Sequence, residues 1–482
     1  MDNDQPITLI IFGASGDLTE RKLIPALFSS FRKERLPAFN VVGFARRDWS
    51  HDDFRQHLRA GFEKFAPDLF DEAAWDTFSQ RLWYSRGDLN NPNDYETLRA
   101  FLGELENGPA NRLYYLATAP NFFVPIVNSL GGAGLVRERD HGWRHVVIEK
   151  PFGHDLDSAR ELNDAIHQVF REHQVYRIDH YLGKETAQNI LYLRFANTIF
   201  EPVWNRNYVD NVQITVAESV DIGHRAGYYD QAGVVRDMFQ NHLLQLLALV
   251  AMEPPASFAA DAVRNERVKL LASIRPISLA DTVRAQYQGY LETEGVAADS
   301  QTPTFAALVL YVDNWRWQGV PFYLRSGKAL AKKNTEIVIQ FRKPPHLMFK
   351  GLDDEDFDAN ALSICIQPDE GIHLQFEAKI PDKAEADSVD MEFHYRSSFK
   401  GDSLPDAYER LLLDAIRGDA SLFTRSDSIE AAWKLMDPIL AGWEGAAAPP
   451  MVYYEPGSWG PAAAERLLGE NGRFWRHGCV HD

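Results

Sequence analysis

The spacing of apolar residues in this chain changes character once along its length. Up to about residue 150, short apolar runs (ITLIIF at 7–12, VVGFA at 41–45, RLYYLAT at 112–118 and HVVIEK at 145–150) are separated by segments long enough to be crossover helices. Beyond about residue 210 apolar residues recur at every second position, in VQITVAES, FAALVLYVDN, EIVIQFRK, ALSICIQ, GIHLQFEAK and MEFHYR. The first pattern predicts a doubly wound parallel sheet. The second predicts a half-buried, mostly antiparallel sheet. The expected architecture is therefore an α/β nucleotide-binding domain over residues 1–178 and a larger α+β domain over 179–482. Helices are expected after Pro151, with Asp155 or Asp157 as cap, over the apolar stretch at about 231–252, and from about 405 to 445.

Charge narrows the partners. Fifty Lys and Arg against 69 Asp and Glu leave a net −19, a field that repels phosphate backbones and anionic lipid, so neither nucleic acid nor a membrane surface is expected as a partner. An anionic ligand must then be met by a local basic cluster. The longest apolar stretch, LLQLLALVAM at 243–252, carries Gln245 and falls far short of the ~20 residues of a membrane span. The chain opens on the acidic MDNDQP, unlike a secretory signal; a cytoplasmic protein is expected. The two cysteines, Cys365 and Cys479, show no ligand spacing, so neither a disulfide scaffold nor a thiolate metal site is expected.

Directly after the first apolar run comes GASGDLTERKL, with Gly13 and Gly16 three apart. Small residues let a backbone approach a pyrophosphate, and the following helix start offers free N–H groups and a positive dipole end. The pattern is GxxG rather than the usual GxGxxG, so a plain strand-to-helix turn stays open. The second run ends GFARR, where an NAD site would end in Asp or Glu; a guanidinium of Arg46 suits the extra phosphate of NADP instead. Two solvated arginines are the alternative, and Asp48 leaves NAD as a weaker second cofactor.

The segment RIDHYLGKE at 177–185 puts His180, Tyr181 and Lys184 near a predicted helix start, a combination that can bind a phosphate dianion. A polar loop closed by an Asp179–Lys184 ion pair fits the same residues. His242, on the apolar helix, is either a core histidine or a general base; an Asp179 carboxylate on its ring would make it the latter. Glu218 shares strand parity with Val212, Ile214 and Val216, so it either faces a pocket or ends the strand toward solvent. Asp237 lies five residues before His242, about 140° around an α-helix, so spacing alone does not bring the two together.

Taken with EKPFG at 149–153, RDMFQNHLLQ at 236–245 and RSGKAL at 325–330, these segments resemble the glucose-6-phosphate dehydrogenase family, in order and over nearly the whole chain. The resemblance implies an N-terminal Rossmann-like domain and oxidation of D-glucose 6-phosphate to 6-phospho-D-glucono-1,5-lactone with reduction of NADP, opening the oxidative pentose phosphate pathway. It implies His242 as general base with Asp179 orienting it. His180, Tyr181 and Lys184 would hold the phosphate, and Glu218 and Asp237 the sugar hydroxyls. Lys150 would lie between sugar and cofactor, with Lys328 and Lys333 closing the sugar site. Gly13, Ala14, Ser15, Gly16, Asp17 and Leu18 would form the pyrophosphate turn, Arg46 would take the 2′-phosphate, and Tyr115 would lie near the cofactor. No metal is required by this chemistry, and a homodimer or dimer of dimers is implied. The competing readings are a Rossmann oxidoreductase of the sugar or inositol dehydrogenase kind, which would not carry RIDHYLGKE, and a non-catalytic NADP-binding regulator, against which His242 and Asp179 argue.

Overall fold

The computed structural model describes residues 5–138, 142–346, 358–383, 385–399, 404–470 and 472–479. They divide into two compact units. The first takes the chain up to Gly183 together with 257–264 and 405–430; the second takes 184–256, 265–404 and the residues from 431 on.

In the first unit six parallel strands run β1 (Ile7–Phe12), β2 (Phe39–Ala45), β3 (Leu82–Arg86), β4 (Asn111–Leu116), β5 (Arg144–Ile148) and β6 (Val175–Arg177). Their order in the sheet is β3-β2-β1-β4-β5-β6. Every residue of β1 is buried, as a strand covered on both faces requires. The order reverses between β1 and β4, and that reversal opens a crevice at the carboxyl ends of the strands. Edge strand β3, LWYSR, was not anticipated: its apolar run is only Leu82 to Tyr84, and the strand ends on exposed Arg86. The helix Leu156–His167 is capped by Asp155, which exchanges hydrogen bonds with Ser158.

The helix Ala407–Arg417, which the sequence reading gave to the second domain, packs with this unit. Leu411, Leu412 and Ile416 are buried, and so is Glu409, 2% exposed. A buried carboxylate needs partners, and Ser29, Lys33 and Arg35 of the first unit supply them, the Lys33 ammonium at 2.9 Å.

The second unit is built on nine strands: β7 (Val209–Ala217), β8 (Thr282–Tyr287), β9 (Phe305–Tyr311), β10 (Pro321–Gly327), β11 (Asn334–Phe341), β12 (Ala361–Gln367), β13 (Gly371–Lys379), β14 (Ala386–His394) and β15 (Met451–Tyr454). They are ordered β14-β13-β12-β11-β7-β10-β9-β8-β15. Two contacts, β7–β10 and β8–β15, are parallel; the rest are antiparallel. β8, the wholly buried β10 and the four-residue β15 were not anticipated; the central strands β7, β9, β11 and β12 are also almost wholly buried rather than half-buried.

The apolar helix around 231–252 is not one uniform α-helix. Gly233 interrupts it with φ 66°, Val235–Leu243 is π-helical, and only Leu244–Ala251 is α-helical at its end. The cysteines also depart from expectation: Cys365 on β12 and Cys479 in the C-terminal segment, 114 residues apart, form a disulfide with Cα atoms 5.6 Å apart. Their spacing carried no sign of this, because only the folded path of the chain end brings them together.

Candidate active site

In the first unit β1 runs directly into the glycine turn. Gly13 adopts φ 80°, and its N–H donates to the Phe44 carbonyl at 3.0 Å. A Cβ at this position would lie 2.4 Å from the Ala117 carbonyl oxygen, so only glycine fits where β1 leaves beside the end of β4. Gly16 N–H then closes on the Gly13 carbonyl at 2.9 Å and Thr19 N–H on Gly16 at 3.1 Å. Thr19 itself is buried and begins a π-helical turn, Thr19–Leu23, that leads into the helix Ile24–Arg32. Ala14 is buried, Ser15 and Leu18 half-buried, and Asp17 exposed with Arg21 at 3.3 Å. At the end of β2, Arg46 is exposed, the Arg47 guanidinium sits 4.9 Å over the Trp49 ring, and Asp48 pairs with Arg86 at 3.0 Å. This cradle, with no Cβ at its tightest point, fits the pyrophosphate of a dinucleotide at the switch point.

Tyr115 on β4 is fully buried, and its hydroxyl donates to Glu149. Burial pushes this phenol well above its usual range, and the adjacent Glu149 carboxylate adds to the shift. Glu149 is itself raised by burial, against the opposing hydrogen bonds of Tyr115 and Tyr408. The two phenols thus clamp the residue before Lys150, whose bond to Pro151 is cis. Glu149 and Tyr408 were missed by sequence reasoning. Glu149 lies in EKP beside Lys150; Tyr408 carries no local signal at all.

The 177–183 stretch is a compact turn. Asp179, 2% exposed, accepts the Tyr181 N–H on Oδ1 at 3.0 Å. Leu182 N–H donates to the Asp179 carbonyl and Gly183 N–H to that of His180. His180 is half-buried, its ring 4.9 Å from that of buried Tyr181. A Cβ on Gly183 would come within 2.7 Å of the Ala407 carbonyl oxygen, so the turn lies tightly on the helix beginning there.

The second unit carries the remaining residues. Lys184 precedes the helix Glu185–Phe195, and its ammonium donates to Gln367. His242, 1% exposed, and Asp237 both belong to the π-helical segment, where hydrogen bonds close five residues apart. The five-residue spacing that an α-helix would splay is therefore drawn toward one side. Glu218, at the end of β7, neither enters the core nor turns fully to solvent: it ion-pairs with Lys328. Lys328 also reaches Asp237 Oδ2 at 3.3 Å and lies 5.3 Å from the Tyr229 ring centre. Burial acts to lower the Lys328 pKa, but Asp237 and Glu218 outweigh it and hold the ammonium above its ordinary value. Glu218, Asp237 and Lys328 thus form one charged cluster. Lys333 does not join it; it is exposed beside β11 and pairs with no carboxylate among the described residues.

A doubly wound sheet with a glycine cradle at its switch point, in a chain that also carries a sheet-based second unit, belongs to the nicotinamide-dinucleotide oxidoreductases. Within that class the matches are specific. A model of the glucose-6-phosphate dehydrogenase NAD binding domain fits residues 10–189, and a model of the glucose-6-phosphate dehydrogenase C-terminal domain fits 191–476. A glucose-6-phosphate 1-dehydrogenase 2 of Mycobacterium bovis is 46% identical over 98% of this chain and 94% of its own. A solved glucose-6-phosphate dehydrogenase in complex with its substrate glucose-6-phosphate superposes with a TM-score of 0.92 at 36% identity, covering 99% of this chain and 100% of the other. The glucose-6-phosphate 1-dehydrogenase of Mycobacterium avium superposes at 0.87, also at 36% identity and with the same coverage of both chains. The chain belongs to the glucose-6-phosphate dehydrogenase family.

Proposed function

We propose that this protein oxidises D-glucose 6-phosphate at C1 to 6-phospho-D-glucono-1,5-lactone and opens the oxidative pentose phosphate pathway. The observation that carries the reading is the family match over both units. When bound, the nicotinamide ring accepts the hydride. The chain's own residues bind, orient and take the proton. His242 removes the C1 hydroxyl proton, and Asp179 fixes its tautomer and stabilises the imidazolium. His180, Tyr181 and Lys184 grip the substrate phosphate; the placement of Lys184 at a helix start supports this. Glu218 and Asp237, bridged by Lys328, present acceptors to the sugar hydroxyls, and Lys333 adds positive charge at the rim.

Residues 1–178 serve the cofactor in this proposal and 179–482 the substrate and dimerisation. The turn Gly13 to Leu18 takes the pyrophosphate, and Lys150 stands between cofactor and sugar, steadied by Glu149. Tyr115 acts on the cofactor side through the same Glu149 carboxylate. NADP is the preferred cofactor and NAD the weaker one: Arg46 is open to solvent while Asp48 is engaged by Arg86. The protein works as a homodimer or dimer of dimers in the cytoplasm.

Mixing the protein with NADP and glucose 6-phosphate is expected to give NADPH absorbance; none, with cofactor binding confirmed, would overturn the reading. Lys184→Ala is expected to raise KM for glucose 6-phosphate about 10- to 100-fold with little change in kcat, the weight of a lost charge-assisted bond. An unchanged KM would remove Lys184 from the phosphate site. Arg46→Ala is expected to weaken NADP about 10-fold or more while leaving NAD kinetics alone; equal losses for both cofactors would mean that the 2′-phosphate is held elsewhere.

A further inference from the structure

The register of β13 and β14 sets His373 opposite Glu392 and Gly371 opposite His394. Residues two apart on a strand share a face, so His373, Glu392 and His394 stand together on one side of the sheet. One ligand atom from each lies within 4.8 Å of those of the other two, and the two imidazole ring centres are 5.0 Å apart. None of these residues serves the reaction proposed above.

Both imidazoles are oriented by oxygen on the far nitrogen. His373 Nδ1 lies 2.8 Å from the Gly478 carbonyl oxygen, and Nε2 lies 4.0 Å from Cys365 Sγ; a carbonyl only accepts, so Nδ1 carries a proton. His394 Nδ1 faces the Asp369 carboxylate at 3.4 Å, and its Nε2 is 3.4 Å from Glu392 Oε2. A histidine whose second nitrogen is held by a carbonyl or carboxylate is the usual form of a metal-binding imidazole. Asp369 and Glu392 pair with no lysine or arginine among the described residues, in a chain of net charge −19.

We propose that His373, His394 and Glu392 form a site for a divalent transition metal of the zinc type, with Asp369 orienting His394 and a fourth position open to water. His373 is buried, whereas Glu392 is 42% exposed and His394 23% exposed, which leaves an entry path. β14 is the edge strand of its sheet, so its two ligands can draw in to the ~2.0–2.2 Å bonds that zinc requires. A bound ion would tie the β13–β14 hairpin, through His373 and Gly478, to the C-terminal segment.

The test uses the full chain, stripped with a chelator and kept in buffer without thiols, titrated with Co2+ and then Zn2+. Expected are saturable binding at about one equivalent with visible absorption of a four- or five-coordinate nitrogen and oxygen site, its displacement by Zn2+, and a rise in Tm with added Zn2+. Asp369→Asn should weaken binding about 10- to 100-fold. The double variant Glu392→Gln, His394→Asn, altered only on the edge strand, should lose the spectrum and the Zn2+-dependent rise in Tm while still forming NADPH. A wild-type protein that binds no Co2+ overturns the proposal. A double variant with an undiminished spectrum overturns it equally, by putting the metal elsewhere.

Discussion

His242→Asn is expected to lower kcat for glucose 6-phosphate oxidation by about 10²- to 10⁴-fold, the range that a positioned general base contributes, with KM within a few-fold of wild type. Asparagine keeps a polar side chain of similar reach in a site that is 1% exposed but cannot take up the proton. The π-helical backbone around it is hydrogen-bonded independently of the ring, so the fold should survive, as circular dichroism and NADP binding can check. A variant that loses mainly affinity, with kcat retained, would make His242 a binding residue and end its role as base.

Lys328→Met is expected to have the second largest effect, and on stability as well as activity. Removing the ammonium leaves Glu218 and Asp237 facing each other across an apolar side chain. Breaking a largely buried pair in this way costs about 2–4 kcal/mol, reduced from the fully buried case because Glu218 keeps 29% exposure. The cost should shrink as pH falls, because protonation of one carboxylate relieves the repulsion. In the wild type the dependence lies at the other end of the scale: the folded Lys328 pKa is raised above its ordinary 10.5. Its contribution is therefore complete below about 10.5 and lost only as pH rises through the higher folded value. Denaturant unfolding of both proteins across pH measures both slopes. A Met variant as stable as wild type at neutral pH would show that the two carboxylates do not depend on this lysine.

The two patterns of apolar spacing were enough to separate a parallel sheet from a mostly antiparallel one, since they reflect whether helices cover both faces of a strand. They failed where the apolar run is short, as in the edge strand β3 with only Leu82 to Tyr84, or in the four-residue β15. The glycine turn was legible because part of its constraint is local: Gly13 adopts φ 80° and Gly16 N–H closes on its carbonyl three residues on. Glu218 was legible only as an ambiguity, since parity gave its direction but not the ammonium of Lys328 that meets it.

Local order along the chain determined the fold class, the dinucleotide turn and the segments RIDHYLGKE and RSGKAL that mark the family, because backbone propensity, turn chemistry and strand period all act over a few residues. The tertiary structure alone decided the contacts between distant segments. Among these are Glu149 clamped by Tyr115 and Tyr408, Lys328 shared by Glu218 and Asp237, the pairing of Cys365 with Cys479, and the meeting of His373 with Glu392 and His394. Each depends on register and on the path of a later segment, and side chains far apart in sequence share a site only once packing has set which strand edges and helix faces meet.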